Sequence, residues 1–153
     1  LLTDRQKLTA LKQLLGSDDV KKAIVFANRK DQVKRLYDNL RKHVDVTMLS
    51  GDVAQAKRER YLKRFKDGEV NVLVATDVAG RGIHVDDVTH VINYTLPDLL
   101  DDYVHRIGRT GRAGQSGVSI SLVGEDDAFN LPALEKHLGM KFGLLQFDDL
   151  VQD

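Results

Sequence analysis

The chain has 153 residues, of which 42% are apolar and 30% charged, with a formal net charge of zero. That length allows a single domain with a real core, and that composition excludes a disordered chain. No global basic field exists to attract nucleic acid, so any such affinity has to come from a local patch. The absence of cysteine excludes disulfides and thiolate metal sites. It fits a reducing cytosol, and a cytoplasmic location is the expectation. No apolar run approaches the roughly 20 residues of a membrane span. The opening, Leu1-Leu2-Thr3-Asp4-Arg5, carries neither an initiator methionine nor a signal-peptide pattern, so the chain reads as an excised piece of a longer protein.

In chain order, Thr3 and Gln6 read as a capping box, Leu8, Leu11 and Leu15 follow at helical spacing, and Gly16 closes that helix. Residues 23–27 (AIVFA) form a short apolar run, the pattern of a buried strand. Residues 30–43 set Val33, Leu36, Tyr37 and Leu40 on one face of an amphipathic helix. A strand is expected over 44–49, then a helix over 52–66 with Tyr61, Leu62 and Phe65 facing inward. Buried strands follow at 70–75 and at 88–94, the second stopped by Pro97. Residues 101–107 should be helical. Residues 118–123 alternate apolar residues with serine, so one face of that strand is less buried. Gly124-Glu125-Asp126-Asp127 opens a last helix to about His137, and residues 146–153 form an acidic tail beyond a core of 1–145. Alternating strands and helices predict an α/β fold, with a mainly parallel sheet between two helical layers.

In such sheets ligands gather beyond the carboxyl ends of the strands. Asn28 and Arg29, Ser50 and Gly51, and Thr76 and Asp77 follow the first three strands. Residues 74–83 leave a strand and turn small, glycine-rich and charged. Two readings stand side by side there: a phosphate-binding loop offering the Thr76 hydroxyl, or a capped strand-to-loop turn in which Asp77 and Arg81 pair locally. Between Lys57 and Lys66 six residues are basic and only Glu59 is acidic. Lys63, Arg64 and Lys66 read as a solvated face. Gln55 and Arg58 share a face near the helix N-terminus, where free amides and the helix dipole suit a nucleic-acid phosphate.

The run His105-Arg106-Ile107-Gly108-Arg109-Thr110-Gly111-Arg112-Ala113-Gly114 holds three arginines at three-residue spacing among three glycines, with no acidic residue. Guanidinium groups held that close need a shared anion, and their fork suits phosphate oxygens. The competing reading is a basic loop with no ligand. His43 and His137 sit where helices end, and His90 falls in a strand pattern and reads as packing. No metal-binding spacing, serine nucleophile elbow, P-loop or Asp-Glu-x-Asp block occurs, so the residues that grip a β-phosphate and Mg²⁺ are missing.

Together these residues resemble the second RecA-like domain of the DEAD-box RNA helicases. The resemblance runs in order through AIVFANR (23–29), GDVAQAKR (51–58), VLVATDVAGRGI (72–83), VINYTLP (91–97) and HRIGRTGRAG (105–114). Within the family, GDVAQ, HRIGRTGRAGQSG and the NLPALE segment (130–135) are similar to the bacterial type associated with the RNA degradosome. The resemblance implies a RecA-like three-layer α/β/α domain, the C-terminal half of an ATP-dependent helicase that is inactive alone. It implies that ATP and RNA bind across a cleft shared with an N-terminal RecA-like domain, which would hold most of the Mg²⁺. Arg109 and Arg112 would reach the γ-phosphate as arginine fingers, and His105 would link them to the partner domain. Gln55, Arg58 and Thr76, with Asn28, Arg29 and Gly51, would contact the RNA backbone. Gly82 and His84 would lie by the nucleotide.

Two departures bear on this. Where the family has Ala-Arg-Gly-x-Asp, this chain has Gly80-Arg81-Gly82-Ile83-His84, so the family's ribose-binding carboxylate is absent. Asp86 or Asp87, close by in sequence, is the candidate substitute. Where the family often has His-Gly-Asp, this chain has Ser50-Gly51-Asp52, a smaller change. The alternative function is a non-catalytic RNA-binding or protein-docking module of an RNA-decay assembly, its partner a ribonuclease scaffold. A helicase-like motor on duplex DNA is a third reading, disfavoured by the HRIGRTGR form.

Overall fold

The computed structural model describes residues 3–50, 55–80, 87–96 and 118–123. Their order is α1 (Asp4–Leu15), β1 (Ala23–Phe26), α2 (Lys30–Leu40), β2 (Val46–Leu49), α3 (Gln55–Lys66), β3 (Val72–Ala75), α4 (Asp77–Gly80), β4 (His90–Asn93) and β5 (Val118–Ser121). The expected helices at 101–107 and from 124, the arginine run and the tail at 146–153 lie outside the described residues.

Helix α1 starts where the capping box predicts. Thr3 Oγ1 accepts the Gln6 N–H at 3.2 Å, and Gln6 Oε1 accepts the Thr3 N–H at 3.0 Å. Each bond satisfies a donor that a bare helix end would leave orphaned. Helix α2 ends at Leu40 rather than continuing to His43. The N–H groups of His43 and Val44 both turn back onto the Leu40 carbonyl, at 2.9 Å each, and the chain reverses into β2.

All five strands are parallel, in the spatial order β2-β3-β1-β4-β5. From β1 the chain steps out to β2, returns to β3, then crosses β1 to β4. Right-handed crossovers in opposite directions put their helices on opposite faces. The side chains follow suit. Ala23, Val25 and Ala27 pack with Leu11 and Leu15 of α1 and Val33, Leu36 and Leu40 of α2. Ile24 and Phe26 point the other way, toward Phe65 of α3 and Ala79 of α4, with Tyr61 and Leu62 half-buried beside them. Strand β1 is therefore buried on both faces, which is why its sequence is a continuous apolar run. Strand β5 is the least buried of the five, but its burial does not alternate with the serines: Val118 and Ser119 are both exposed, Val118 by 44%, and Ile120 and Ser121 are half-buried. The three-layer RecA-like architecture expected from the resemblance is the one observed.

The segment after β3 is closer to the capped-turn reading, but it is helical rather than a loop. Asp77–Gly80 is a helical turn, with the Thr76 hydroxyl accepting the Ala79 N–H at 3.4 Å. Thr76 has the chemistry of an N-cap, and a threonine followed by Asp77 carries an acidic first-turn residue suited to the helix dipole. Strand β4 is also shorter than 88–94. Past its end, residues 94–96 bond to the last residue of β1 and to Asn28, and Pro97 lies outside the described residues.

Candidate functional site

The registers bring the strand ends level. Phe26 pairs with Ala75 and with Asn93, Leu49 pairs with Ala75, and Asn93 pairs with Ser121. The residues after those strands therefore share one edge of the sheet. Asn28, Arg29, Ser50, Thr76 and Thr95 meet there, although they are far apart in sequence.

Thr76 is 9% exposed; its N–H lies 3.4 Å from the Leu49 carbonyl, which ties the end of β3 to the end of β2. Its oxygen caps α4, and its hydroxyl proton is still available to donate. Arg58 reaches from α3 to the same turn, its Nη1 donating to the Ala79 carbonyl at 2.7 Å. One guanidinium N–H is thereby used, and four further donors belong to the same group. Gln55 opens α3, is exposed, and donates to Glu59 at 3.3 Å. Thr76, Arg58 and α4 thus form one hydrogen-bonded unit, and Gln55 sits one turn before Arg58.

Asn28 faces inward. Its N–H donates to Thr95 Oγ1 at 2.9 Å and its Nδ2 to the Leu96 carbonyl at 2.7 Å. Arg29 precedes α2, with Gln32 Oε1 accepting its N–H at 3.2 Å, and its side chain is 70% exposed and 3.4 Å from Asp31. An ion pair that open is weak and readily exchanged for another anion. Sequence reasoning missed Lys7. It is 4% exposed, and its Nζ donates to the Tyr94 carbonyl at 3.2 Å. Lys7 stands four residues before Leu11, on the apolar stripe of α1, and that placement was the available signal. Gly51, Gly82, His84, His105, Arg109 and Arg112 lie outside the described residues.

The opposite end of the sheet has a different character. Lys22 is 5% exposed; its Nζ contacts Asp87 at 2.9 Å and the Lys66 carbonyl at 3.1 Å, and it lies 5.2 Å from the Phe65 ring centroid. Asp87 therefore belongs to the amino end of β1 and does not substitute for the missing ribose-binding carboxylate. Asp86 lies outside the described residues. His90 is buried at the start of β4 with Nδ1 2.8 Å from Thr89 Oγ1, in agreement with its reading as packing. Burial holds its pKa below the ordinary 6.5, with Asp19 opposing. On α3, Lys63 pairs with Asp67 at 2.6 Å and Arg64 with Glu69 at 3.4 Å, both on the surface. The hydrogen bond and charge of Asp67 raise the Lys63 pKa. These partners just past the basic run support its reading as a solvated face.

Among the described residues no His, Asp or Glu cluster could hold a metal ion. No helix there is long and apolar enough to cross a membrane. The arrangement at the carboxyl ends offers hydroxyl, amide and guanidinium donors along one sheet edge, which suits a run of phosphates.

Known proteins share this fold and much of this sequence. Residues 6–114 match the helicase conserved C-terminal domain. The ATP-dependent RNA helicase RhlB of Pseudomonas syringae pv. tomato is 57% identical over 139 residues, which are 90% of this chain and 34% of that protein. The chain thus spans about a third of the length of such curated relatives. A crystal structure of the E. coli DEAD-box protein SrmB, bound to regulator of ribonuclease activity A, superposes with a TM-score of 0.91 at 39% identity. It covers 97% of this chain and 88% of that one. S. cerevisiae Dbp5 bound to RNA and ADP BeF3 superposes with a TM-score of 0.88 at 35% identity, over 96% of this chain and 40% of that one. A parallel sheet with matching helices on both faces and that level of identity have one meaning: the chain belongs to the helicase conserved C-terminal domain family, among the DEAD-box proteins of the RhlB type.

Proposed function

We propose that this chain is the C-terminal half of an ATP-dependent RNA helicase acting in the cytoplasm, closing on RNA and ATP together with an N-terminal RecA-like domain. The observation that carries the reading is the unit formed by Thr76, Arg58 and α4 at the carboxyl ends of the strands. In this reading the donors to the backbone are the Thr76 hydroxyl, the Arg58 guanidinium and the exposed amide of Gln55, one turn before Arg58 on α3. Such donors position a phosphodiester backbone and read little of its sequence. Arg29, Asn28 and Gly51 would add further contacts to the same backbone.

The donor set fits a nucleic-acid backbone, and the chain has no P-loop of its own. When bound, ATP supplies the γ-phosphoryl group whose hydrolysis resets the clamp, with Mg²⁺ held mainly by the N-terminal domain. Arg109 and Arg112 bring positive charge to that phosphate, and His105 links the two domains. Gly82 leaves room for close backbone approach to the nucleotide. His84 offers a hydrogen bond where relatives have a carboxylate, so ribose contact through it is weaker in charge and more sensitive to pH.

The test is turnover in the full-length parent protein. Arg112→Ala should lower RNA-stimulated ATP hydrolysis by about 10³-fold or more with folding retained. Hydrolysis near that of the unaltered protein refutes the finger role. One observation favours a second, compatible role in docking. SrmB, which this chain matches over 97% of its length, was captured with a protein regulator of ribonuclease activity. A ribonuclease scaffold of an RNA-decay assembly is the corresponding partner here. Tight RNA binding by this domain without the N-terminal domain or ATP would favour the module reading over the clamp.

A further inference from the structure

Lys7 is a buried cation that the proposed RNA contacts do not use. Burying an ammonium is costly, and an apolar side chain of similar length would fill the α1 stripe at lower cost. What the lysine's donors hold, the Tyr94 carbonyl among them, offsets that cost. Its own N–H bonds the Thr3 carbonyl at 2.9 Å, so it sits one turn inside the capped start of α1. Its Nζ holds the Tyr94 carbonyl at 3.2 Å and stands 5.8 Å from the centroid of the Tyr94 ring.

The same short stretch is held from β1. The Tyr94 N–H donates to the Phe26 carbonyl at 2.9 Å. Asn28 grips the next two residues, through Thr95 Oγ1 and the Leu96 carbonyl. Residues 94–96 are thus held by α1 on one side and by the end of β1 on the other. In sequence they lead directly into the connection that carries Arg109 and Arg112.

We propose that Lys7 is a positioning residue for the helicase reaction: with Asn28 it clamps residues 94–96 to α1 and β1, and so sets the point from which the arginine-bearing connection departs. The proposal rests on the reading of Arg109 and Arg112 as fingers. A finger acts only when its guanidinium is placed on the developing charge, and an error of about 1 Å can cost about 10²-fold. A slack take-off point therefore lowers turnover more than substrate binding.

The experiment is steady-state ATPase of the full-length parent, with RNA saturating. Lys7→Met should lower kcat about tenfold with KM for ATP within about twofold, since binding groups are untouched. Lys7→Arg, which keeps a charged donor in reach of the Tyr94 carbonyl, should recover most of that loss. Thr95→Val removes the acceptor for the Asn28 N–H and should lower kcat about threefold, again with KM unchanged. This second variant decides the matter if Lys7→Met does not fold. Wild-type kcat in both Lys7→Met and Thr95→Val overturns the proposal. So does a loss in Lys7→Met that Lys7→Arg fails to recover and that follows the fall in melting temperature. Arg112→Ala, measured alongside, separates the two levels. Unchanged turnover there defeats the finger reading itself, whereas a dead Arg112→Ala with a fully active Lys7→Met defeats only the clamp.

Discussion

The two ends of the sheet spend their polar groups differently. At the amino end, Lys22 is buried and satisfied within the domain by Asp87, the Lys66 carbonyl and the Phe65 ring, and His90 is buried against Thr89. At the carboxyl end, Arg29 and Gln55 stand in solvent with one weak or long partner each, and Arg58 uses a single N–H inside the domain. Both ends contain cations. At the amino end they close on internal partners and contribute to stability. At the carboxyl end Lys7 also closes on an internal partner, but Arg29 and Arg58 keep donors for something outside. Charge counting along the sequence cannot separate the two, because Lys22 and Arg58 look alike until their surroundings are known.

Substitutions should break along that line. Lys22→Met should have the largest effect on stability, about 2–3 kcal/mol in urea denaturation, because the Lys66 carbonyl loses a charged donor in a buried setting. RNA affinity of the full-length parent should stay within about twofold, and a large loss of RNA binding would erase the distinction between the ends. Arg58→Met should cost about 1.5 kcal/mol through the Ala79 carbonyl. It should also make the log–log salt dependence of RNA binding shallower by about one unit, as loss of one phosphate contact would. A slope equal to that of the unaltered protein would confine Arg58 to holding α4. Thr76→Val removes the cap and should cost about 1 kcal/mol, with RNA affinity falling by about fivefold.

The smallest effect is a pH dependence at the amino end. Burial depresses the His90 pKa below 6.5, so the unfolded chain binds the proton more readily than the folded one. The stability that neutral His90 allows is present above about pH 6.5 and is lost as pH falls through the lower folded-state value. His90→Gln should flatten the stability profile over that acidic range, as followed by thermal melts from pH 7 to pH 5. An unchanged profile would remove His90 as its source.

Much of this was legible beforehand. The capping pair Thr3 and Gln6, the apolar runs of β1 and β3 and the stripe of α2 are local patterns, and local patterns specify local structure. The candidates at residues 28, 29, 55, 58 and 76 could be gathered at one edge because a parallel sheet brings its strand ends together. Three things resisted. The segment 77–80 looked like a glycine-rich loop, and only the Thr76 cap and the Arg58 bond to the Ala79 carbonyl make it a helical turn. Asp87, with Asp86, is a candidate substitute for the ribose carboxylate on its closeness in sequence to His84. Its partner Lys22 is 65 positions away and holds it at the other end of the sheet. Lys7 drew no reading from the sequence, and its burial depends on where β4 happens to end.

By itself the amino-acid order determined the types of the described elements other than α4, the doubly covered parallel sheet and the family, because periodicity, caps and ordered motifs act over a few residues at a time. Only the tertiary structure decided which cations are spent inside the fold and which remain to meet a ligand. Partners for a charge are supplied by segments distant in the chain, and their distances exist only once the strands are in register.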